Sequence, residues 1–591
     1  MRLALVVAAI LLLRAPFLNQ AIQGDDIYYL AGAEHAQIDP AHPNHVRYVF
    51  LGDLVDMEGH PHPPLNVWFL AALLVLVGDI REVPFHAFYV VFSLLAAIAM
   101  GSLARRFSPH PLWATLLFLA TPAFVVNGNS LESDIPLLAF WLAAVALFVA
   151  GQYACAAVLL ALATLAAYQA IFLTPILFVY TWLFARRSKA AWAVALVPPV
   201  VIAGWQLYEL ISIGDLPASV LTSHFNTYNF QSLQNKLRNA GALCVHACWL
   251  VFPVLLPPAF LLSRKRRDPD TLFLLSWIAI FFAGALVVFF AGSARYLLPM
   301  AAPVALLVSR LSPRWLAAGF AAQLILSVSL AVVNYQHWDG YRTFAASLQQ
   351  KIAGKRVWIN GEWGLRYYLE AEGGLPMRRE QSIRPGDIVV TSELGYPVHF
   401  TNGGGALAPI TQLEIGAALP LRLLALNTRS AYSRVDRGFL PFDISTGPID
   451  RVRAEMVVER KPALEYLPMN APEAEQQLVS GVYALEDNRT RWMAGRAVIL
   501  LKSPTTATPL RVVFYIPESA PARRISVLLD GREVAAQTFQ NPGICTLEAP
   551  AQRPPNPTAT LTIIVDKTIT VAGDPRELGV VLSEAGFMVK R

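Results

Sequence analysis

The stretch LALVVAAILLLRAPFLNQAIQGDDIYYLAG (residues 3–32) places two adjacent carboxylates, Asp25 and Asp26, shortly after an uninterrupted apolar run. Such a run predicts a helix in a membrane, and acids that follow it closely stay near the membrane surface. A signal peptide is the alternative, but the run lacks a small-x-small cleavage site, and Arg14 and Pro16 follow it directly. We therefore predict an uncleaved helix. The acids are either solvated loop residues or groups held at the membrane for chemistry.

The composition indicates an integral membrane protein. Of 591 residues, 55% are hydrophobic and only 15% are charged, and the mean hydropathy is +0.46. Soluble domains carry about 25% charged residues, so a soluble protein is disfavoured. The net charge of +6 comes from basic residues in short clusters between apolar runs. This pattern is typical of topology signals and not of a nucleic-acid surface, so no nucleic-acid partner is expected.

Apolar runs before residue 335 predict a polytopic α-helical region with about eleven transmembrane helices. The runs lie near residues 3–18, 84–104, 111–127, 134–150, 153–167, 170–184, 191–211, 241–262, 271–291, 296–309 and 315–333. Basic clusters at 105–106, 186–189, 264–267 and 310–314 are predicted to be cytoplasmic. Alternate connections then lie outside, namely residues 19–83, 128–133, the turn at Tyr168, 212–240, 292–295 and everything after 334.

The first outer connection, residues 19–83, is long, and loops of that length in a compact protein are usually functional. Its apolar stretch PPLNVWFLAALLVLVGD (63–79) would reverse the charge pattern if it crossed the membrane. We predict that this stretch lies along the membrane surface as an interfacial helix. The connection also carries many ionisable residues, namely Asp25, Asp26, Glu34, His35, Asp53, Asp56, Glu58, His60 and His62.

After residue 335 the composition changes to that of a folded polar region. KRVWINGEWGLRYYLEAEGG (355–374) predicts a strand, a helix and a turn, and GDIVVTSELGYPVHF (386–400) a second strand. Short alternating strands recur towards the C-terminus and predict a β-sandwich. The predicted domains are therefore a transmembrane catalytic domain (1–335), an α/β domain with its link (336–475) and a β-sandwich (476–591). Tyr483 and Trp492 either stack on sugars or pack in the core of the sandwich.

The order of these motifs resembles that of the GT-C membrane glycosyltransferases, which include the protein O-mannosyltransferases and the lipid A aminoarabinose transferase. The resemblance covers about residues 1–335. It rests on LRAPF and GDDIYYLA (13–31), HPHPPLNVWFLAALL (60–74), NSLESDIPLLAFW (129–141) and ARYLLPMAAPVALL (294–307). It implies a GT-C-like membrane domain with an extracytoplasmic C-terminal α/β and β-sandwich region. It also implies a multi-pass protein of a bacterial-type cytoplasmic (inner) membrane.

The resemblance also implies a reaction and a set of site residues. The donor would be a hexose or pentose on a polyprenyl phosphate, and the acceptor a hydroxyl of a glycan, lipid or protein. Asp25 would be the general base, with Asp26 and Asp134 as the other catalytic acids. His62, Arg295 and Tyr296 would bind the donor phosphate. Glu132 and His60 would support the acceptor or a divalent metal ion, whose presence is left open.

One departure and several alternatives accompany this prediction. The lipid A transferase has lysine directly before its paired prolines and glutamate before that lysine, where this chain has His62 and Pro61. The HPP sequence is closer to the protein mannosyltransferases.

Each candidate also has a structural alternative. Asp25 and Asp26 could be solvated loop acids, and Asp134 an acid favoured at a helix N-terminus. His62 could be an ordinary interfacial residue, and Arg295 a residue that flanks a span and extends its charged end to the membrane surface. A flippase or transporter of lipid-linked sugars with a carbohydrate-binding tail, or a glycan ligase, are the alternative functions.

Overall fold

The computed structural model describes residues 2–227, 232–264, 268–288, 293–430, 432, 438–571 and 574–588. The chain forms two compact units. The helical unit comprises Met1–Tyr48, Val55–Thr343 and Glu414–Asp450, and the β-rich unit comprises Val49–Leu54, Phe344–Leu413 and Arg451–Arg591. Residues 414–450 of the predicted α/β region thus belong to the helical unit. The predicted division into three domains stays a prediction.

Seventeen α-helices are found among the described residues up to Ile352. They are α1 (Arg2–Arg14), α2 (Asp26–His35), α3 (Leu65–Val77), α4 (Glu82–Phe107), α5 (Pro111–Leu119), α6 (Pro122–Asn127), α7 (Asp134–Val149), α8 (Tyr153–Ala166), α9 (Leu173–Phe184), α10 (Lys189–Val194), α11 (Val197–Ser212), α12 (Pro217–Thr227), α13 (Leu233–Ala247), α14 (Leu256–Arg264), α15 (Pro269–Val288), α16 (Leu298–Val308) and α17 (Pro313–Ile352).

Four helices of the described chain are long and apolar enough to cross a membrane: Glu82–Phe107, Lys189–Ser212, Pro269–Val287 and Pro313–Ile352. Other apolar helices are shorter, so the predicted count of about eleven spans is not confirmed. Proline explains part of the difference, because it starts a helix well but interrupts one that is under way. The predicted run 111–127, for example, is divided into α5 and α6 by a break before Pro122.

A buried arginine at the end of α1 binds the segment that leads to α7. The Arg14 guanidinium donates hydrogen bonds of 2.8 Å to the carbonyl oxygens of Phe124 and Val125, at the C-terminal end of α6. The last carbonyls of a helix lack partners within it and carry partial negative charge, so a cation there is favourable. A Cβ on Gly128 would lie 1.8 Å from the Arg14 guanidinium, so only glycine fits. The contact fixes residues 128–133 beside the end of α1.

Helix α3 packs against α2, and both helices lie within residues 19–83. Gly32 allows this approach, because a Cβ at that position would lie 3.0 Å from the Val67 side chain. Gln37 Nε2 donates to the carbonyl of Ala71 at 3.2 Å, and Trp68 Nε1 donates to that of Pro40 at 2.8 Å. These bonds hold α3 as a separate element, as predicted for an interfacial helix; its place at the membrane surface stays a prediction.

The first part of the β-rich unit has the predicted strand, helix and strand. Helix α18 (Trp363–Ala371) lies between β3 (Val357–Asn360) and β6 (Ile388–Ser392), which pair in parallel. A five-stranded sheet has the order β4-β3-β6-β11-β8. The other strands of this region are β4 (Leu375–Pro376), β5 (Gln381–Ser382), β7 (Phe400–Thr401), β8 (Gly405–Ile415), β9 (Leu421–Arg422), β10 (Asp443–Ile444) and β11 (Asp450–Glu459). Two further strands, β1 (Arg47–Phe50) and β2 (Asp53–Asp56), pair with each other earlier in the chain.

The C-terminal region is rich in β-structure, as predicted. Nine strands form one hydrogen-bonded network in the order β17-β16-β19-β14-β22-β15-β18, with β12 on β22 and β13 on β14. The strands are β12 (Tyr466–Pro468), β13 (Leu478–Glu486), β14 (Thr490–Lys502), β15 (Thr508–Ile516), β16 (Arg523–Leu529), β17 (Arg532–Phe539), β18 (Gly543–Gln552), β19 (Thr558–Val565) and β22 (Val581–Phe587), beside a small pair β20 (Ile569–Val571) and β21 (Asp574–Leu578). Alternate side chains point inward and form one hydrophobic core around Phe514, Ile525 and Leu561.

Tyr483 belongs to this fold and not to an exposed aromatic surface. Its side chain is buried, and its hydroxyl donates to the carbonyl of Glu577 at 2.8 Å. Trp492 is half-buried. The packing alternative for Tyr483 is therefore the correct one, because a buried tyrosine hydroxyl that already has a partner is not available to a sugar.

Candidate active site

The positions of Asp25 and Asp26 depend on Gly24, the glycine that directly precedes them. Gly24 has a φ of +48°, in the left-handed region that favours glycine, and a Cβ there would lie 2.7 Å from Glu132 Oε1. The backbone N–H of Asp25 donates to the same Glu132 oxygen at 3.2 Å. Helix α2 begins at Asp26. The tight approach at Gly24 therefore brings the start of α2 against residues 128–133.

Both carboxylate oxygens of Asp26 accept hydrogen bonds that hold the start of α2 against residues 128–133. Its Oδ1 accepts from Ser130 Oγ at 2.9 Å and from the backbone N–H of Leu131 at 2.8 Å, and its Oδ2 accepts from the N–H of Gln23 at 3.1 Å. The side chain has no exposed surface. Burial raises the pKa of Asp26 to about 7, although these hydrogen bonds favour the charged form. Asp26 thus holds two segments together behind the exposed part of the site.

Arg295 lies among three carboxylates. One terminal nitrogen is 3.0 Å from Asp25 Oδ2, and the other makes an ion pair with Glu132 and is 3.8 Å from Asp134 Oδ2. The side chain of Asp25 is 34% exposed, whereas those of Glu132 and Asp134 are 6% and 8% exposed. Within the described residues, Arg295 Nε is shielded from solvent and has no hydrogen-bond partner. Asp25 is therefore the carboxylate of this cluster that a second molecule reaches most easily.

These four side chains come from three segments that are far apart in the sequence. Asp25 immediately precedes α2, Asp134 is the first residue of α7, and Arg295 starts the short 3-10 turn before α16. Each is at the end of a helix and not in its middle. Tyr296 follows Arg295 in the same turn and is buried, with its ring centroid 5.4 Å from the guanidinium carbon. The sequence-predicted residues Asp25, Glu132, Asp134, Arg295 and Tyr296 are thus brought together.

His60 and His62 lie beside this cluster around the ring of Tyr29. The Tyr29 ring centroid is 5.0 Å from that of His60 and 5.8 Å from that of His62. Burial, with the nearby charges of His60 and Arg295, lowers the pKa of His62 well below its ordinary value. His62 is therefore neutral at pH 7. Its Nδ1 is shielded and has no hydrogen-bond partner within the described part of the chain.

Tyr432 is a residue of this region that sequence reasoning missed. Its hydroxyl donates to Asn127 Oδ1, and its carbonyl accepts from Ser293 Oγ at 2.6 Å and from the N–H of Ala294 at 3.3 Å. Ala294 directly precedes Arg295, so Tyr432 positions the turn that carries the guanidinium. No motif surrounds Tyr432 in the sequence, and the hydrogen bonds of its main chain cannot be read from residue type.

The sequence leaves open whether the protein binds a divalent metal ion. Among the described residues, no group of three or more His, Cys, Asp or Glu side chains is arranged to hold one. The carboxylates of Asp25, Glu132 and Asp134 surround the Arg295 guanidinium.

Comparison with known proteins gives similarity at the level of structure. No family model matches the chain, and no curated protein sequence matches it. Among solved structures, it is similar to ArnT from Cupriavidus metallidurans bound to undecaprenyl phosphate, with 15% identity, a TM-score of 0.46, and coverage of 66% of this chain and 93% of that one. The apo state of the same ArnT has 14% identity and a TM-score of 0.46, with coverage of 69% and 95%. The arabinofuranosyltransferase AftD from Mycobacteria has 12% identity and a TM-score of 0.37, with coverage of 99% of this chain and 62% of that one.

These TM-scores are below 0.5 and the identities are low, so the activities of those proteins are not transferred to this chain. The resemblance to the GT-C membrane glycosyltransferases stays a prediction from the sequence motifs.

Proposed function

We propose that this protein is a membrane glycosyltransferase that moves a sugar from a polyprenyl phosphate to an acceptor hydroxyl on the outer face of the cytoplasmic membrane. The observation that carries the proposal is the Arg295 guanidinium in contact with the partly exposed Asp25, with Glu132 and Asp134 beside it. This arrangement puts a cation for a leaving phosphate next to a carboxylate for an attacking hydroxyl. Such a pairing is what glycosyl transfer from a lipid phosphate requires.

Arg295 is suited to bind the donor phosphate. A guanidinium has five N–H donors in a planar fork that matches phosphate oxygens, and its Nε has no partner among the described residues. Because three carboxylates already surround this cation, an incoming phosphate competes with Asp25 for it. Donor binding would therefore free the Asp25 oxygen that Arg295 holds in the structure described here.

Asp25 is suited to act as the general base. It takes the proton of the acceptor hydroxyl as that oxygen bonds to the anomeric carbon of the sugar. The bond from the anomeric carbon to the phosphate oxygen breaks, and its electron pair leaves with the lipid phosphate. Arg295 stabilises the charge that develops there. Neutral His62, whose ring centroid lies 5.8 Å from that of Tyr29, is proposed as a hydrogen-bond donor to the same phosphate. Asp26 positions Asp25 and does not touch the substrates.

The transporter alternative is less well supported. Transporters tend to carry ionisable residues near the middle of the membrane, at interrupted helices. Here Asp25, Asp134 and Arg295 lie in or directly beside connections predicted at the outer boundary of the membrane. Arg295 is 3.0 Å from Asp25 and 3.8 Å from Asp134. A glycan ligase would use the same residues and differs in what the lipid carries. An experiment with a panel of donors identifies the sugar and distinguishes a transferase from a ligase.

The test is incubation of the purified protein with a panel of polyprenyl-phosphate-linked hexoses and pentoses in detergent. We expect free polyprenyl monophosphate to be released from at least one donor when an acceptor fraction is present. The Asp39→Asn variant is the matched control, since it removes an acid of the same outer connection whose ion pair, among the described residues, is with His42. Movement of intact lipid-linked sugar across vesicles without cleavage would instead support the transporter, and release of a diphosphate lipid would support the ligase.

A further inference from the structure

A cavity of about 780 Å³ lies in the β-rich unit, and none of its lining residues belongs to the carboxylate cluster. It is formed where three segments meet at the ends of β14 and β19: residues 461–462, 502–505 and 553–558. Its volume is within the roughly 300–1,000 Å³ of sites for small molecules. We call it the basic groove.

The charge of the basic groove has one sign. Lys461, Lys502 and Arg553 line it, and no acidic side chain is among the described residues that do. Lys502 Nζ is 3.6 Å from Glu465, a weak surface ion pair. Lys461 and Arg553 are exposed and make no ion pair with any described residue. Several positive charges that line one cleft produce a strong local positive potential, which attracts anions.

The walls of the basic groove are rigid. Five prolines line it, namely Pro462, Pro504, Pro554, Pro555 and Pro557, and each fixes its own backbone angle. The Ser503 N–H donates to the carbonyl of Pro557 at 2.9 Å, which ties two of the three segments together. The third is held by Gln477, whose side chain donates to the carbonyls of Leu464 and Leu500 at 3.1 and 2.7 Å. A groove whose shape is set in advance loses little entropy when it binds.

The polar groups of the walls are available to a ligand. Ser503 Oγ is shielded from bulk solvent and has no hydrogen-bond partner within the described residues. A hydroxyl left unpaired in this way costs free energy that a ligand oxygen or amide would recover. Asn556 and Thr505 add an amide and a second hydroxyl along the same walls. The lining thus combines cations, hydrogen-bonding groups and flat proline rings.

We propose that the basic groove binds an anionic saccharide, a sugar chain that carries phosphate or carboxylate groups. The cations would pair with the anionic groups, the hydroxyl and amide side chains would bond to sugar hydroxyls, and the proline rings would pack against sugar C–H faces. The proposal goes beyond the proposed transfer reaction and does not depend on it. Binding in the groove and catalysis at Asp25 can each fail without the other.

The test measures binding of defined probes to the full-length protein in detergent by microscale thermophoresis. The saccharide probes are oligogalacturonate, which carries carboxylates, mannose 6-phosphate, which carries phosphate, and a neutral dextran fragment. Phosphatidylglycerol vesicles are the probe for a lipid surface. The groove variant is Lys461→Gln with Arg553→Gln. The matched control is Arg524→Gln with Lys567→Gln, which removes two exposed cations of the same β-rich unit outside the groove.

We expect wild type and the control variant to bind at least one anionic probe, with weaker binding at higher salt, and dextran not to compete. The groove variant should lose tenfold or more in affinity. Equal affinities of the groove and control variants would overturn the proposal, as would the absence of any binding to both anionic probes at millimolar concentration. Binding of wild type only to phosphatidylglycerol vesicles, lost in the groove variant, would overturn it in favour of a lipid surface.

Discussion

At the scale of single residues, the site depends on contacts that the sequence specifies locally and on others that it does not. Asp25, Glu132, Asp134 and Arg295 were predicted because each stands in a short motif beside an apolar run, and the structure brings them into contact. Tyr432 was not predicted, because it acts mainly through its main chain on the residue before Arg295. A sequence shows which residues have side chains suited to a reaction. It does not show that a carbonyl far along the chain holds one of those residues in place.

A first prediction concerns the guanidinium. Arg295→Ala should reduce kcat/KM for the donor by about a hundredfold or more, and Arg295→Lys by less, because lysine keeps the charge without the planar fork. Removal of the cation also leaves Glu132 and Asp134 buried without it, which typically costs about 3–5 kcal/mol of stability. Thermal unfolding of each variant in detergent separates the two effects. Unchanged donor kinetics in a folded Arg295→Ala protein would remove this residue from the site.

A second prediction compares two glycines with similar backbones. Gly24 has a φ of +48° and a Cβ there would lie 2.7 Å from Glu132 Oε1, whereas Gly78 has a φ of +81° and nothing within 4 Å. Alanine at either position is strained by about 1 kcal/mol, but only at Gly24 must the acid cluster also move. We expect Gly24→Ala to lose most of its turnover and Gly78→Ala to keep it, in assays at equal amounts of folded protein. Equal turnover of the two variants would show that the approach at Gly24 does not matter.

At the scale of elements, hydrophobic runs predict where helices lie better than where they end. Proline divides the run 111–127 into α5 and α6, although its composition is apolar throughout. Helix α17 was expected to end near residue 333 but continues to Ile352, a total of 40 residues. Its second half is polar overall, yet Tyr341, Phe344 and Leu348 are buried at a helical spacing. That spacing is a signal in the sequence, and a search for long apolar runs overlooks it.

A third prediction concerns an ion-pair network that joins three elements of the β-rich unit. His399 Nδ1 lies 2.7 Å from Glu380, and its Nε2 lies 3.7 Å from Glu475. Burial lowers the pKa of His399, but its contacts with the two glutamates outweigh burial and raise it to about 9. Since the folded pKa is above the unfolded value of about 6.5, the stabilisation is complete below that pH and is lost as pH rises through about 9.

The measurement is the Tm of wild type and of His399→Gln between pH 6 and pH 9.5. Wild type should be the more stable at pH 6, by a free energy on the order of 1–3 kcal/mol. The difference should shrink as pH rises to 9.5. A difference that is the same at both ends of the range would contradict the raised pKa.

At the scale of the whole molecule, the distribution of basic residues predicts on which side of the membrane each connection lies. Basic clusters at 105–106, 186–189 and 264–267 alternate with the connections that carry the site residues. The outward position of these connections, and of everything after residue 334, is our proposal. Contacts between Asp25, Glu132 and Arg295 fit it, because each comes from a connection assigned to the same side.

A fourth prediction follows for the orientation in the membrane. A periplasmic phosphatase fused after Arg591 should be active, and a fluorescent reporter that matures only in the cytoplasm should be dark at that position. Fusion of the same pair after residue 187, in a predicted cytoplasmic cluster, should give the reverse result. An inactive phosphatase together with a bright reporter at the C-terminus would place the tail, and with it the proposed site, on the wrong side.

The central claim is that Asp25 is the base in glycosyl transfer, and one measurement tests it most directly. Release of polyprenyl phosphate by Asp25→Asn is compared with release by wild type and by Asp39→Asn, with each protein shown to be inserted and folded. Loss of a general base typically costs about a hundredfold to ten-thousandfold in rate. We predict a loss in that range for Asp25→Asn, with near wild-type release by Asp39→Asn. Near wild-type release by correctly folded Asp25→Asn would contradict the account.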